Sequence, residues 1–232
     1  MNANIFAKAN QIIKTCDTAY FSVIDEDGYP TVSTVSVIKP DNIFEVYFST
    51  DTESSKVNRL RKNNRASICF KTDSNITLVG EAEICTDQET KSKYWLDWFK
   101  EHYDGETAPN YVIIKFTAKR VSLWLGNEGG IFTIEELLTV QSYCGLLCDG
   151  CTYKQSHGCI GCLALKGKTF WGECDVAKCC IKNSYAHCGE CPDVPCEKLK
   201  GLSYGDDEHN DKPEGARIEI CKAWTAHKAV AR

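Results

Sequence analysis

Residues 25–70 run DEDGYPTVSTVSVIKPDNIFEVYFSTDTESSKVNRLRKNNRASICF, and this stretch decides the fold. It opens on a turn, Asp25-Glu26-Asp27-Gly28, followed by a β-rich run from Thr31 to Ile38. A break at Pro40-Asp41-Asn42 leads into a second such run, Ile43–Ser49. Runs of β-branched and aromatic residues separated by short Gly, Pro and Asn/Asp breaks are the pattern of antiparallel hairpins. The period then changes. Glu53–Lys62 places Val57 and Leu60 three apart on one helical face, with Thr52 as the expected N-cap. Ala66–Lys71 returns to strand.

The same alternation extends both ways. Upstream, Ile5, Ala9, Ile12 and Ile13 mark a helix over residues 5–15, and Thr18–Ile24 is a strand. Downstream, Ile76–Cys85, Tyr111–Lys119 and Val121–Leu125 are strands. Between them, Gln88–Tyr103 is expected to be helical, opened by Thr86 and Glu89 in capping-box spacing. Its stripe of Tyr94, Trp95, Trp98 and Phe99 is read as core packing rather than a cofactor box. Many short strands with few helices predict a mainly β (α+β) fold, a closed antiparallel barrel.

Composition bounds the function. The 232 residues are 43% hydrophobic and 25% charged, enough to bury a core, and carry a formal charge of −5. An acidic chain lacks the basic field that holds a phosphate backbone, so nucleic acid is excluded as the main partner. No run reaches the ~18 apolar residues of a membrane span, and residues 1–14 lack a secretory h-region. The expected setting is cytoplasmic. Of fifteen cysteines, Cys16, Cys69 and Cys85 precede residue 140 and the rest lie between Cys144 and Cys221. The shift divides the chain into a barrel domain, residues 1–140, and a small Cys-rich, partly helical domain, residues 141–232. The three early cysteines are expected to be small buried hydrophobes.

Within the barrel, Phe48–Lys56 (FSTDTESSK) runs from a strand end into a helix start with five hydroxyl side chains and one ammonium. Free N–H groups and the positive end of the helix dipole suit a phosphate there, although hydroxyl-rich helix starts are also ordinary caps. His102 is expected on a helix surface, and no nucleophile–base pair stands out.

Residues 1–130 resemble the FMN-binding split barrel of the pyridoxamine 5′-phosphate oxidase superfamily, and its general stress protein branch in particular. Residues 25–70 carry the resemblance, with ITLVGEAEI (76–84) and NYVIIKFTAKRVSLW (110–124). It implies a homodimer with flavin at the interface. Ser33, Thr34, Val35 and Ser36 match the strand along the flavin ring and ribityl chain. Ser49 and Thr50 match the strand-end pair, and Ser55 and Lys56 the phosphate-binding pair. Asn75 matches a polar position near the ring, and Trp124 an aromatic supplied by the partner subunit, or else a residue buried in the sheet. Two departures speak against a vitamin B6 oxidase. Ser33 stands near a position where those enzymes carry arginine, and Gly126–Phe132 lacks their Arg-x-His segment. The resemblance thus implies an FMN-dependent oxidoreductase with a small-molecule electron donor and acceptor. The alternatives are a non-catalytic flavin-binding or redox-sensing regulatory protein, or heme or deazaflavin in the same groove.

The second domain carries three C-x-x-C pairs, 148/151, 159/162 and 188/191, with Gly150, Gly161 and Gly189 easing each turn. Such a pair brings two sulfurs to one ion. Cys148, Cys151, Cys159 and Cys162 form one expected tetrahedral set. Cys188, Cys191 and Cys196 need a fourth ligand, for which Cys174, Cys179 and Cys180 compete; Cys179 is taken as that ligand. His157 and His187 are further candidates, while Cys144 is unassigned and Cys221 is read as structural. Zinc is the leading ion, with an iron–sulfur cluster or free-thiol and disulfide states as alternatives. The pieces YCGLLCDGC, GCIGC, CDVAKCCIK and HCGECPDVPCEKL also resemble a Cys-rich domain family of unknown function. Lys198–Leu202 and Ile218–Ala229 are expected to be helical and Gly205–Gly215 a solvated loop.

Overall fold

A computed structural model describes residues 3–38, 42–206 and 210–227. The expected break at Pro40-Asp41 lies outside the described residues, as do 207–209 of the loop and 228–229 of the last helix. Among the described residues, no helix is long and apolar enough to cross a membrane. The chain forms two compact units, residues 9–134 and residues 1–8 with 135–232.

The first unit holds seven strands: β1 (Thr18–Ile24), β2 (Pro30–Ile38), β3 (Glu45–Asp51), β4 (Arg65–Lys71), β5 (Asn75–Cys85), β6 (Tyr111–Leu125) and β7 (Glu128–Thr133). Their order is β3-β2-β1-β4-β5-β6-β7, and β3 also pairs with β6, so six antiparallel strands close into a barrel. Alternate residues point inward and leave water entirely: Phe21, Phe48, Ile68, Phe70, Leu78, Phe116 and Leu123 are all fully buried. Phe21 and Phe48 meet edge to face at 4.8 Å. Burying a side chain of this size contributes about 1.5–3 kcal/mol.

β6 serves two pairings because it is long. Its first half pairs with β3 and the end of β5, its second half with the start of β5 and β7. The two halves are reconciled by a register shift at Val79/Gly80. A Cβ on Gly80 would lie 2.0 Å from the Thr117 carbonyl oxygen, so no larger residue permits this approach. Accordingly, the two strands expected over 111–119 and 121–125 are one strand.

β7 is absent from the sequence-based expectation. Leu125 and Glu128 pair across a two-residue Gly126-Asn127 turn, with Gly126 at φ 64°, a conformation that glycine adopts without a Cβ penalty.

Helix α1 (Ala3–Lys14) crosses the boundary between the units. Its Asn10 side-chain oxygen accepts the Ile43 N–H at 3.0 Å. Helix α2 (Ser55–Lys62) buries Val57 and Leu60 as expected, but Ser54, not Thr52, is its N-cap. The helix expected over 88–103 breaks. α3 (Gln88–Lys93) is followed by a separate 3-10 turn, Asp97–Glu101. Its cap is Asp87, whose carboxylate accepts the Thr90 N–H at 2.8 Å. Tyr94 stacks on Tyr47 at 4.1 Å while the adjacent Trp95 packs edge-on to Tyr111 at 5.1 Å. The helix ends where the backbone leaves helical geometry, at Tyr94 (φ −105°, ψ 12°) and the extended Leu96 (φ −120°, ψ 144°). Tyr94, Trp95 and Phe99 of the stripe do pack in a hydrophobic cluster with Tyr111 and Ile113, whereas Trp98 is exposed.

The second unit is built from short pieces. After α4 (Ile134–Leu138) come α5 (Thr152–Ser156), the hairpin β8 (Lys168–Thr169) and β9 (Gly172–Glu173), α6 (Asp175–Lys182), α7 (Glu197–Ser203) and α8 (Ala216–Ala226). One hydrophobic cluster joins Val176, Leu199 and Ile218 with Cys144, Cys180, Cys188 and Cys221. Trp224 is fully buried and donates its indole N–H to the Leu137 carbonyl at 3.0 Å. Asp211 anchors the start of α8, pairing with the Arg217 guanidinium at 2.9 Å and accepting the Arg217 backbone N–H at 2.8 Å.

Candidate functional site

The barrel is split between β2 and β3. These strands pair at Val37–Phe48 and Ile38–Tyr47. Continued one step further, that register would set Ser36 against Ser49 and Val35 against Thr50, yet the ladder does not extend there. β2 remains paired to β1 along its other edge, and β3 to β6. The facing edges of Ser33–Ser36 and Ser49–Thr50 are therefore open on either side of a gap. Backbone N–H and C=O groups along such an edge are strong hydrogen-bonding sites for an extended ligand.

The gap leads to the start of α2, where no side chain caps the first turn. Lys56 Nζ lies 3.2 Å from Thr50 Oγ1, which lies 3.2 Å from Ser54 Oγ. Thr50 is buried, Lys56 half-buried and Ser55 exposed. Burial lowers the pKa of Lys56 below the ordinary lysine value, with no carboxylate acting against it. A desolvated ammonium on a helix start is suited to an anion. Arg59, one turn further on, donates to Thr31 Oγ1 at 2.8 Å, so the gap is flanked by two cations. Ser54 is one of the hydroxyls expected at this helix start, whereas Arg59 was missed as a site residue although it stands at i+3 from Lys56.

Alternation divides the expected set. Val35 is 6% exposed and points into the core, so it can offer a ligand its backbone alone. Thr34 and Ser36 are exposed, and Ser33 shares the parity of Val35. Likewise Thr50 turns inward, while Ser49 lies on the opposite face and is hydrogen-bonded with Tyr103.

Asn75 and Trp124 are brought together elsewhere. They are paired partners on β5 and β6 and line an open cleft of about 570 Å³ with Tyr20, Cys69 and Ser74. Trp124 is 53% exposed, so it is not buried in the sheet. Asn75 Oδ1 accepts from Thr77 Oγ1 at 3.0 Å. Cys69, expected to be a buried hydrophobe, instead lines this cleft, and Cys16 and Cys85 are also only partly buried. Their strand and helix-end positions leave one side open. His102 is exposed, as expected.

In the second unit two of the three C-x-x-C pairs, 148–151 and 188–191, form the same 3-10 turn, with Cys151 N–H on Cys148 O and Cys191 N–H on Cys188 O, each at 3.1 Å. The Cys148 thiol contacts the Gln141 carbonyl at 3.4 Å. Burial, with Cys144, Cys151, Cys159 and Cys162 nearby, pushes its pKa up to about 12. Among the described residues, no three His, Cys, Asp or Glu side chains already converge on a point as metal ligands do. His187 accepts the Gly189 N–H through Nδ1 at 3.1 Å, and His157 stacks on Phe170 at 4.6 Å.

A six-stranded antiparallel barrel that opens between two strands onto a basic helix start defines the split-barrel class. The chain belongs to the pyridoxamine 5′-phosphate oxidase family, whose model matches residues 5–125. Residues 140–201 match a family described as a protein of unknown function (DUF3795). Among solved structures, a Clostridium acetobutylicum protein related to general stress protein 26 of B. subtilis is similar, at 26% identity and TM-score 0.54, over 59% of this chain and 99% of that one. General stress protein 26 from Bacillus anthracis is similar at 22% identity and TM-score 0.49, over 56% and 98%. No curated protein matches the chain.

Proposed function

We propose that the barrel binds FMN and acts as a flavin-dependent oxidoreductase on a small acceptor, with two copies of the chain forming each site. The observation that carries this reading is the open β2–β3 gap ending on Lys56 and the uncapped start of α2. Its chemistry fits FMN. Lys56, Ser55 and the first-turn N–H groups would hold the phosphate, and Arg59 would add positive charge. The open edges of Ser33–Ser36 and Ser49–Thr50 would take the ribityl and ring polar groups. FMN, when bound, supplies hydride acceptance from a small donor and its return to an acceptor. The residues of this chain would position it and limit water access.

Asn75 on β5 is three strand spacings from β2 in the order β2-β1-β4-β5, about 14 Å along the sheet, and Trp124 lies far along β6 from Ile113, the partner of Ser49, about 36 Å at ~3.3 Å per residue. That is too far to share a flavin held at the gap of the same copy, so they are assigned to the flavin of the second copy. With serine at position 33 and a glycine hairpin at 126–130, no arginine clamp for a substrate phosphate stands at those positions, and the acceptor is taken to be something other than a vitamin B6 phosphate.

In this reading the cysteine-rich unit holds zinc, through Cys148, Cys151, Cys159 and Cys162 and through a second set that includes Cys188, Cys191 and Cys196. The cytoplasmic setting expected from the sequence would keep these cysteines reduced and able to bind metal.

The test is direct. Full-length protein incubated with excess FMN and desalted should stay yellow, quench flavin fluorescence and sediment as a dimer with one flavin per chain. Colourless protein after that treatment, or a strict monomer, would refute the reading. Reoxidation of the reduced flavin by small acceptors then separates an enzyme from a flavin-holding regulator.

A further inference from the structure

In the second unit, α6 and the turn 188–191 close around a cavity of about 20 Å³. It is lined by Cys179, Cys180, Cys188, Cys191 and Cys196, together with Val176, Tyr185, Val194 and Lys198. Its wall is sulfur and carbon. A water molecule needs two to four polar partners and would find none of the usual kind here. The volume is close to that of one small sphere, room for a single ion and not for a multi-iron cluster.

Two of the five thiols are already placed. Cys180 Sγ and Cys188 Sγ lie 3.6 Å apart. That is far beyond the ~2.05 Å of a disulfide. It is close to the edge of a tetrahedron of sulfurs around one ion, which with metal–sulfur bonds of ~2.3 Å is about 3.8 Å. Cys180 is 1% exposed and Cys188 7%. By contrast, Cys179, the adjacent residue on the helix, receives the Asn183 side-chain amide at 3.7 Å.

The third ligand follows from the turn that carries Cys188. A Cβ on Gly189 would come within 2.2 Å of the Cys221 carbonyl, so packing against α8 holds the 188–191 turn in place and sets Cys191 on the same cavity. The fourth is Cys196, N-cap of α7, whose side chain makes no capping hydrogen bond. His187 is not available through Nδ1, which accepts the Gly189 N–H.

We infer that this cavity is a single-ion site for a thiophilic divalent cation such as zinc, with Cys180, Cys188, Cys191 and Cys196 as its four ligands. The inference rests on the metal reading above and replaces Cys179 by Cys180. Cys191 and Cys196 need to converge on a void that they already line. Four thiolates and a divalent cation leave two negative charges. A closed set of four sulfurs with no open position is structural rather than catalytic. It would tie α6, the 188–191 turn and α7 together in a unit whose core is small.

The probe is cobalt(II), titrated into the reduced full-length chain without oxygen and followed by its tetrahedral thiolate absorption, then displaced by zinc. Cys179→Ser should leave the cobalt-to-chain ratio unchanged, whereas Cys180→Ser should lower it by one ion. The converse result would overturn the assignment of Cys180, and an unchanged ratio in both would remove α6 from the site. Absence of any cobalt uptake by the unaltered chain would refute the metal reading as a whole. Because Cys180 is buried and its variant can misfold, alkylation mapping of the unaltered chain gives a second readout. With zinc present, Cys180, Cys188, Cys191 and Cys196 should resist alkylation while Cys179 is labelled, and a chelator should release all four. Zinc-dependent protection of Cys179 in place of Cys180 would reverse the conclusion.

Discussion

Replacing Lys56 by glutamine tests the barrel site at its most charged point. The ammonium is half-buried and 3.2 Å from the buried Thr50 hydroxyl, and burial has lowered its pKa. A charged ammonium here carries a desolvation cost that a bound phosphate would offset. A hydrogen bond to a charged partner contributes about 1.5–3 kcal/mol in a site of this kind. Lys56→Gln should then weaken FMN roughly 10- to 150-fold. Riboflavin has the same ring and ribityl chain without the phosphate, and its affinity should change less than about threefold, under ~0.7 kcal/mol. The assay is flavin fluorescence quenching with both ligands on the full chain, repeated at two salt concentrations. Raising salt should weaken FMN binding to the unaltered chain more than to the variant, because screening acts on the charge removed. Equal weakening of FMN and riboflavin would mean that the substitution disturbs the fold rather than the phosphate. An unchanged FMN affinity would place the phosphate elsewhere.

Gly80→Ala should cost roughly 3 kcal/mol, since a Cβ there would meet the Thr117 carbonyl at 2.0 Å and must push β5 and β6 apart; urea unfolding of the full chain checks this. Trp124→Ala should leave the stability of an isolated copy nearly unchanged, because the ring is 53% exposed, yet reduce flavin binding and dimerisation in sedimentation. Burial raises the Asp211 pKa above its ordinary 3.8. The folded chain therefore holds this proton more tightly than the unfolded one between that value and the raised one, and the group's contribution to stability falls as pH rises through that window. Asp211→Asn should remove that part of the pH slope in urea titrations from pH 4 to 7.

The barrel was legible because its signals are local. Each strand alternates a residue that packs inward with one that does not, and the breaks between strands carry Gly, Pro or Asn/Asp. β7 was not, although Gly126-Asn127 is a two-residue turn that suits a hairpin. Its six residues include two glycines, and of its two large apolar residues Ile131 is 67% exposed and Phe132 only partly buried, so no buried face marked it. Tyr94, Trp95 and Phe99 of the aromatic stripe were read correctly as packing, but Trp98 is 42% exposed and the stripe is not a continuous helix. Spacing alone shows that rings fall on one side, not that Tyr94 and Trp95 pack on different neighbours. In the second unit, C-x-x-C spacing revealed the turns at 148–151 and 188–191, because that geometry is set within four residues. The juxtaposition of Cys180 with Cys188 was not visible, since adjacent Cys179 is chemically identical and the helix rotation of α6 decides between them.

The same rotation logic governs the barrel site. A run such as Ser33-Thr34-Val35-Ser36 cannot present four side chains to one ligand, because a strand sends them alternately to opposite faces. Val35 is in the core, so whatever binds along this edge must read its main chain. That shifts specificity away from the hydroxyls and toward the two features that are not repetitive, the charge at Lys56 and the aromatic at Trp124. Lys56 lies on α2 beside the β2–β3 gap, whereas Trp124 stands eleven residues along β6 from Ile113, the partner of Ser49. In the flavin reading, one copy would offer a phosphate end without an aromatic cover, and an aromatic surface without a phosphate end. Two copies related by a twofold axis would supply both ends to each of two ligands. The exposure of Tyr20, Val32 and Trp124 on the outer strands is what such pairing would cover. If the flavin were complete on one copy, Trp124→Ala would change affinity without changing oligomeric state; if the site is shared, the two losses must track each other with protein concentration.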